Sequence, residues 1–119
     1  MIYTTYFAKL KKLPENVIPI AICSKVPEGY SGFHFRSLAP RFDFFTEWKR
    51  TEDNDYFIKC YNEQVLATLD VHSIVPALHG IADGKDVALV CYEKSTDFCH
   101  RHLIAEWLRA AGYKCEELT

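Results

Sequence analysis

An α/β fold is predicted, a three-layer sandwich with a small, mostly parallel sheet of about four strands flanked by helices. Three observations predict it. Strand-like and helix-like segments alternate along the chain, and residues 87–91 (Val-Ala-Leu-Val-Cys) are apolar without a break, as befits a central strand covered on both faces. The clearest unit is strand, polar loop and helix over residues 87–111, where Leu103, Ile104, Trp107, Leu108 and Ala111 form one apolar helical face.

The first strand, within residues 1–7, is rich in β-branched and aromatic residues; the second is Val-Ile-Pro-Ile-Ala-Ile-Cys at 17–23. Pro19 lacks a ladder donor, which points to an edge or a strand start. The nine residues 8–16 between them are tight for a parallel crossover and leave the relative direction open. Residues 24–40 carry Pro27, Gly29, Gly32 and Pro40 among aromatics, an irregular loop with contacts of its own. Helices are expected over 41–50 and 56–69, the second with Phe57, Tyr61, Val65 and Leu69 spaced by four and capped by Asn54 or Asp55. A third helix, capped by Asp70 or Ser73, runs to about Ala82, with Pro76 tolerable only in its first turn and Asp83-Gly84 as the stop. Gly112 ends the last helix, and residues 113–118 are short enough for a last strand.

A chain of 119 residues fits one domain, residues 1–119, and buries about 65% of its unfolded surface. Its hydrophobic content of 49% and charged content of 25% are those of an ordinary globular protein. The net charge of -2 gives no global attraction to nucleic acid or anionic lipid, so any anion binding must be local. No apolar run approaches a membrane span and no signal-peptide pattern opens the chain, so no membrane partner and a cytoplasmic location are expected. The five cysteines, Cys23, Cys60, Cys91, Cys99 and Cys115, include no CxxC pair; they are a poor disulfide framework and a poor zinc signature, so mostly reduced thiols, no metal and no cofactor are expected. There is no GxGxxG or Walker motif, no repeat and no low-complexity tract.

In a parallel sheet, ligands bind beyond the carboxyl ends of the strands, and residues 93–101 occupy such a position. A helix opening on Cys99, His100 and Arg101 adds free backbone N–H groups and a positive dipole end, favouring an anion. Arg101 is placed to clamp phosphate or carboxylate; the alternative is a surface pair with Asp97. His100 is either a general acid or base, or a buried, hydrogen-bonded ring beside Ile104 and Trp107. Cys99 is either a nucleophile at a helix N-terminus or a packed thiol. Glu93 suits a carboxylate base or a hydroxyl acceptor and Lys94 an anion contact, against the simpler reading of solvated loop residues. Arg36, Arg41 and Lys49, set among Phe33, Phe35, Phe42 and Phe44, give a second candidate ligand surface, of which Arg36 and Arg41 are the residues to test, although the phenylalanines read first as core.

The string Cys91-x-Glu93-Lys94 followed by Cys99-His100-Arg101 at the start of a helix resembles the hallmark of the domain of unknown function 488 (DUF488) family. The resemblance implies an α/β fold and a shared pocket that includes Cys91. Many members carry Asp-Val-Arg after the second strand; this chain has Ile22-Cys-Ser-Lys25, so no role passes to those positions. The expected function is recognition or processing of a phosphate-bearing small molecule, a nucleotide or a nucleic-acid component. The alternative is a non-catalytic module that sequesters such a ligand or docks a protein partner.

Overall fold

The order of hydrogen bonding along the sheet determines where a ligand can sit. The structure, a computed structural model, describes residues 1–118. Five strands, β1 (Ile2–Tyr6), β2 (Val17–Ala21), β3 (Phe33–His34), β4 (Asp86–Cys91) and β5 (Cys115–Glu117), form one sheet in the order β3-β2-β4-β1-β5, and every pairing is parallel. The helices are α1 (Phe42–Thr51), α2 (Asn54–Gln64), α3 (Val71–Ile81) and α4 (His100–Ala110), joined by 3-10 turns at Phe7–Lys12, Arg36–Leu38 and Leu66–Thr68. The expected α/β class is the one observed, with five strands rather than about four.

The strand missed in the sequence is β3, two residues long, inside the segment expected to be an irregular loop. The direction left open for β1 and β2 is parallel, although β4 lies between them. Six residues of 3-10 helix span about 12 Å, and the four that follow, two extended and two in a turn closed by Val17 N–H to the Pro14 carbonyl, add about 10 Å. That length suffices to return along a five-residue strand, about 16 Å, while stepping two strands sideways, about 10 Å.

Pro19 is not on an edge strand, and the register explains why it is tolerated. Even-numbered residues of β2 turn their backbone groups to β4, as the bond from Ile22 N–H to the Val90 carbonyl shows, and odd-numbered ones turn to β3. Because β3 pairs only with Ile20 and Ala21, the missing Pro19 N–H faces no strand, while its carbonyl accepts the Tyr30 hydroxyl at 3.4 Å.

Connections in such sheets are right-handed, so the direction of each step fixes the face it covers. The links β1 to β2 and β2 to β3 step one way; β3 to β4, through α1, α2 and α3, and β4 to β5, through α4, step the other way. All four α-helices therefore lie on one face, and the opposite face is covered by the first 3-10 turn and the loop after β2. Their meeting is visible in the edge-to-face contact of Phe7 with Tyr30, at 5.3 Å between centroids.

The helices lie near the segments expected for them, although α2 ends at Gln64 and a 3-10 turn at Leu66–Thr68 takes the place of its expected continuation to Leu69. Asp53, one position before the expected caps, accepts from Tyr56 N–H at the start of α2, and Asp70 accepts from His72 N–H to cap α3. Pro76 falls in the middle of α3, beyond the first turn where it was expected to be tolerable. Gly84 and Gly112, at φ 79° and 93°, supply the predicted stops. Phe44, Phe57 and Tyr61 join the core, as Ile104 and Leu108 do from α4. Phe42, by contrast, is 82% exposed.

Tyr61 is fully buried and its hydroxyl donates to the Leu38 carbonyl at 2.6 Å, tying α2 to the segment before α1. Tyr61→Phe leaves that buried carbonyl unpaired, and a loss of about 1–2 kcal/mol is expected in urea denaturation. An unchanged midpoint would show that the bond contributes nothing.

Candidate functional site

β4 leaves the sheet toward the helical face, whereas its two neighbours, β1 and β2, leave toward the other. Chains that part in opposite directions open a crevice beyond their carboxyl ends. A pocket of about 430 Å³ lies there, lined by Cys23 and Lys25 after β2, by Cys91 and Glu93 at the end of β4, by His100 at the start of α4 and by Lys49 of α1. Phe45, Tyr92, Ser24 and Pro40 complete the wall. The rim is held by Ser24 Oγ, which donates to the Pro40 carbonyl at 3.1 Å, and by the Tyr92 hydroxyl, which donates to the Lys25 carbonyl.

The residues expected to form the site are only partly brought together. Glu93, His100 and Cys91 share this pocket. Lys94 is exposed and outside it. Arg36 and Arg41 line a separate depression of about 240 Å³, where Arg41 donates from Nε and Nη2 to the Gln64 carbonyl and so caps the C-terminal end of α2. Cys99 faces the other way, into a groove of about 640 Å³ between α2 and α4.

Arg101 corrects the sequence reading most sharply. It has no exposed surface, and its expected partner, Asp97, is replaced by Glu117 of β5. Arg101 Nε and Nη2 donate to the two carboxylate oxygens at 3.0 and 2.9 Å, while Nη1 donates to the Glu93 carbonyl at 2.6 Å and to Cys91 Sγ at 3.3 Å. With its fork filled, the guanidinium has no role as a clamp for a ligand; it positions the end of β4 and the Cys91 sulfur. Glu117 was not singled out in the sequence, although it stands beside Thr4, whose hydroxyl donates to it at 2.6 Å.

His100 is buried, and desolvation pushes its pKa down to about 4, with the neighbouring Arg101 charge adding to the effect. At neutral pH the ring is uncharged. Its Nε2 lies 2.7 Å from the Ile22 carbonyl, which can only accept, so Nε2 carries the proton and Nδ1 presents a lone pair 3.9 Å from Cys99 Sγ. The ring is thus the buried, hydrogen-bonded histidine that the sequence offered as one alternative, with the Nδ1 lone pair turned toward the cysteines.

Cys91 and Cys99 are joined as a disulfide, while Cys23, Cys60 and Cys115 are free and buried, so most of the five cysteines are reduced, as expected. Burial pushes the Cys23 thiol up, and nearby Glu93 adds to this, so Cys23 is a protonated thiol in the pocket wall. The sulfurs of Cys91 and Cys99 and a ring nitrogen of His100 lie within 4.8 Å of one another, a three-donor set of the kind that holds a thiophilic metal. In the sequence these same three residues suggest a metal set, but the eight positions from Cys91 to Cys99, with no second close pair, argue against it; the fold brings their donor atoms together all the same.

Residues 3–112 match the model of a family described as the active DUF488-N3 subclade. The chain belongs to the DUF488 family. No curated protein and no solved structure matches it. The DUF488 match spans both β4 and α4, and with them every residue of the Cys-x-Glu-Lys and Cys-His-Arg strings. No helix among the described residues is long and apolar enough to cross a membrane.

Two outcomes follow. Arg101→Met strands the Glu117 carboxylate and is expected to cost about 3–5 kcal/mol by chemical denaturation, far more than any surface ion pair; a loss under 1 kcal/mol would show that the pair holds nothing. For His100, the unfolded chain binds a proton below about pH 6.5 and the folded chain only below about 4. Stability is thus full above pH 6.5 and falls as pH drops through that window, by up to about 3 kcal/mol. His100→Gln should flatten this slope in melting curves taken from pH 7 to 4, and an unaltered slope would assign it to other groups.

Proposed function

We propose that the chain recognises a phosphate-bearing ligand, a nucleotide or a nucleic-acid component, in the pocket between the ends of β2 and β4, and processes it with groups from β4 and α4. The observation that carries this reading is the juxtaposition of two lysines, Lys25 and Lys49, with two aromatic walls, Phe45 and Tyr92, around a cavity of about 430 Å³. Cavities of this size suit small ligands. Lysine ammonium groups suit phosphate, and aromatic faces suit a base. The first turn of α4 has no acidic residue and no side-chain cap, so its backbone N–H groups add to the positive field at this end of the sheet.

Within this reading Lys25 and Lys49 hold the anion, in place of Arg101 and Lys94. Glu93, part-exposed at the pocket, takes a proton or a hydroxyl of the ligand. Cys91 supplies sulfur at the floor. The setting is a cytoplasmic protein with no membrane partner. A second reading, a module that binds without turnover, draws support from His100, which is neutral, sealed and bonded to the Ile22 carbonyl, leaving Glu93 as the one carboxylate in the pocket.

A panel of nucleotides and inorganic phosphate, read by thermal shift, tests both, because a ligand that binds only the folded state raises the melting temperature. Lys25→Ala and Lys49→Ala are each expected to weaken binding about tenfold, close to 1.4 kcal/mol. Glu93→Gln should leave binding in place and stop product formation if the chain is an enzyme. Binding with no product from any ligand selects the module; no shift with any anion, or one indifferent to both lysines, would sink the anion pocket.

A further inference from the structure

Cys91 and Cys99 open onto two different cavities, Cys91 onto the ligand pocket and Cys99 onto the groove between α2 and α4, so their bond forms part of the wall between the two. It is the one disulfide among the described residues, and the three other cysteines are buried free thiols. A bond across eight positions closes a short loop and so constrains the unfolded chain less than a long-range bond would. We propose that Cys91–Cys99 is a thiol–disulfide exchange centre, at which a low-molecular-weight thiol entering the groove attacks Cys99 and releases Cys91 as a thiolate facing the ligand pocket. This inference does not rest on the nucleotide reading.

The direction of attack follows from what surrounds each sulfur. Exchange at sulfur is an in-line displacement, and the better leaving group is the sulfur whose negative charge is better stabilised. Arg101 Nη1 donates to Cys91 Sγ at 3.3 Å, and the guanidinium carries a permanent positive charge. Cys99, as the N-cap of α4, feels the partial positive charge of the helix end but has no formally charged donor; its side-chain neighbour is the Nδ1 lone pair of His100 at 3.9 Å, which stabilises no anion. Cys91 therefore leaves, and Cys99 is attacked from the groove that it lines. That groove is walled by Phe98, Leu103 and Trp107, and by His102, whose Nε2 is buried with no hydrogen-bond partner.

The chemistry balances with two thiols. The first thiolate forms a sulfur–sulfur bond to Cys99 as the Cys91–Cys99 bond breaks, and its electron pair stays on Cys91. A second thiolate attacks the thiol-derived sulfur of the mixed disulfide and releases Cys99. Two thiols have become one disulfide, and their two protons end on Cys91 and Cys99 or in solvent. Run backward with an oxidised thiol, the same steps close the bond.

The test uses the full chain and glutathione. After incubation of the native protein in reduced glutathione, quenching with an alkylating agent and intact-mass measurement should show two newly labelled thiols, which map to Cys91 and Cys99. With oxidised glutathione, Cys91→Ser should trap one glutathione on Cys99, and Cys99→Ser should form an adduct at least tenfold more slowly. If either serine variant misfolds, acid quenching of the wild type during reduction and peptide mapping should find the mixed disulfide on Cys99 rather than Cys91. Ala67→Trp, which narrows the groove without touching the cysteines, should slow reduction by glutathione severalfold and spare its equilibrium. Adducts formed equally on both cysteines, or a rate indifferent to Ala67→Trp, would overturn the route. Stoichiometric zinc in the purified protein, with both thiols protected by it, would overturn the exchange centre and make Cys91, Cys99 and His100 a metal site.

Discussion

Arg101 carries a permanent positive charge at a position with no access to water, and the rest of the site depends on how that charge is satisfied. Four hydrogen bonds reach three parts of the fold: the Glu117 carboxylate on β5, the Glu93 carbonyl after β4 and the Cys91 sulfur at the end of β4. The ring of Tyr6, at the end of β1, stacks against the guanidinium at 5.7 Å. One side chain from the first turn of α4 thus draws together the carboxyl ends of β4 and β1 and the edge strand β5. Apart from it, ladder bonds and the threonine hydroxyls of β1, Thr4 to Glu117 and Thr5 to the Leu118 carbonyl, join these strands at that end. A hydrophobic residue of equal volume would fill the space, but it would hold neither the Glu93 carbonyl nor the cysteine sulfur in a fixed place.

Because Arg101 is consumed in this way, the electrostatics of the pocket are set by other residues. Its positive charge comes from Lys25 and Lys49, both exposed, on the loop after β2 and on α1. Lys49 rests over the rings of Phe45 and Trp48 at 5.5 and 5.4 Å, which directs an otherwise mobile ammonium. His100 contributes no charge at neutral pH. Its burial and its bond to the Ile22 carbonyl lock one tautomer, and the same bond ties α4 to the end of β2. The buried groups of α4 therefore serve as a frame, while exposed residues supply the pocket's charge.

What could be read from residue order was whatever depends on local pattern. The continuous apolar run at β4, the apolar face of α4, the Asp70 cap and the stops at Gly84 and Gly112 are signals carried within a few positions, and each is where it was expected. The strand end and helix start that flank the candidate site were legible for the same reason, since each is a local feature. The partner of Arg101 was not, because Glu117 lies 16 positions away and reaches it only when β5 pairs with β1. A neighbour at four positions, Asp97, was the visible candidate, and tertiary pairing displaced it. Cys23 and Lys25 were missed although the rule that ligands gather at the carboxyl ends of parallel strands applies to β2 as well as β4. The direction of β2, left open by its short connection, was the missing premise. Strand β3, with two residues, has too little sequence to carry a period.

The start of α4 explains how adjacent residues come to serve opposite cavities. Cys99 is the helix N-cap, with extended backbone at φ -155° and ψ 143°, and His100 is the first helical residue. A change from extended to helical backbone between neighbours turns their side chains to different sides. Cys99 faces the groove against α2, and His100 faces the pocket between β2 and β4. Cys91 approaches from β4 beneath both, so the sulfur of the strand end meets the sulfur of the helix start at the point where the two cavities are nearest. Arg101, one residue further on, turns inward to the sheet and fixes that meeting point. Three successive residues at a helix start thus face three environments, and the strand-to-helix junction, rather than any single side chain, is what joins the pocket to the groove.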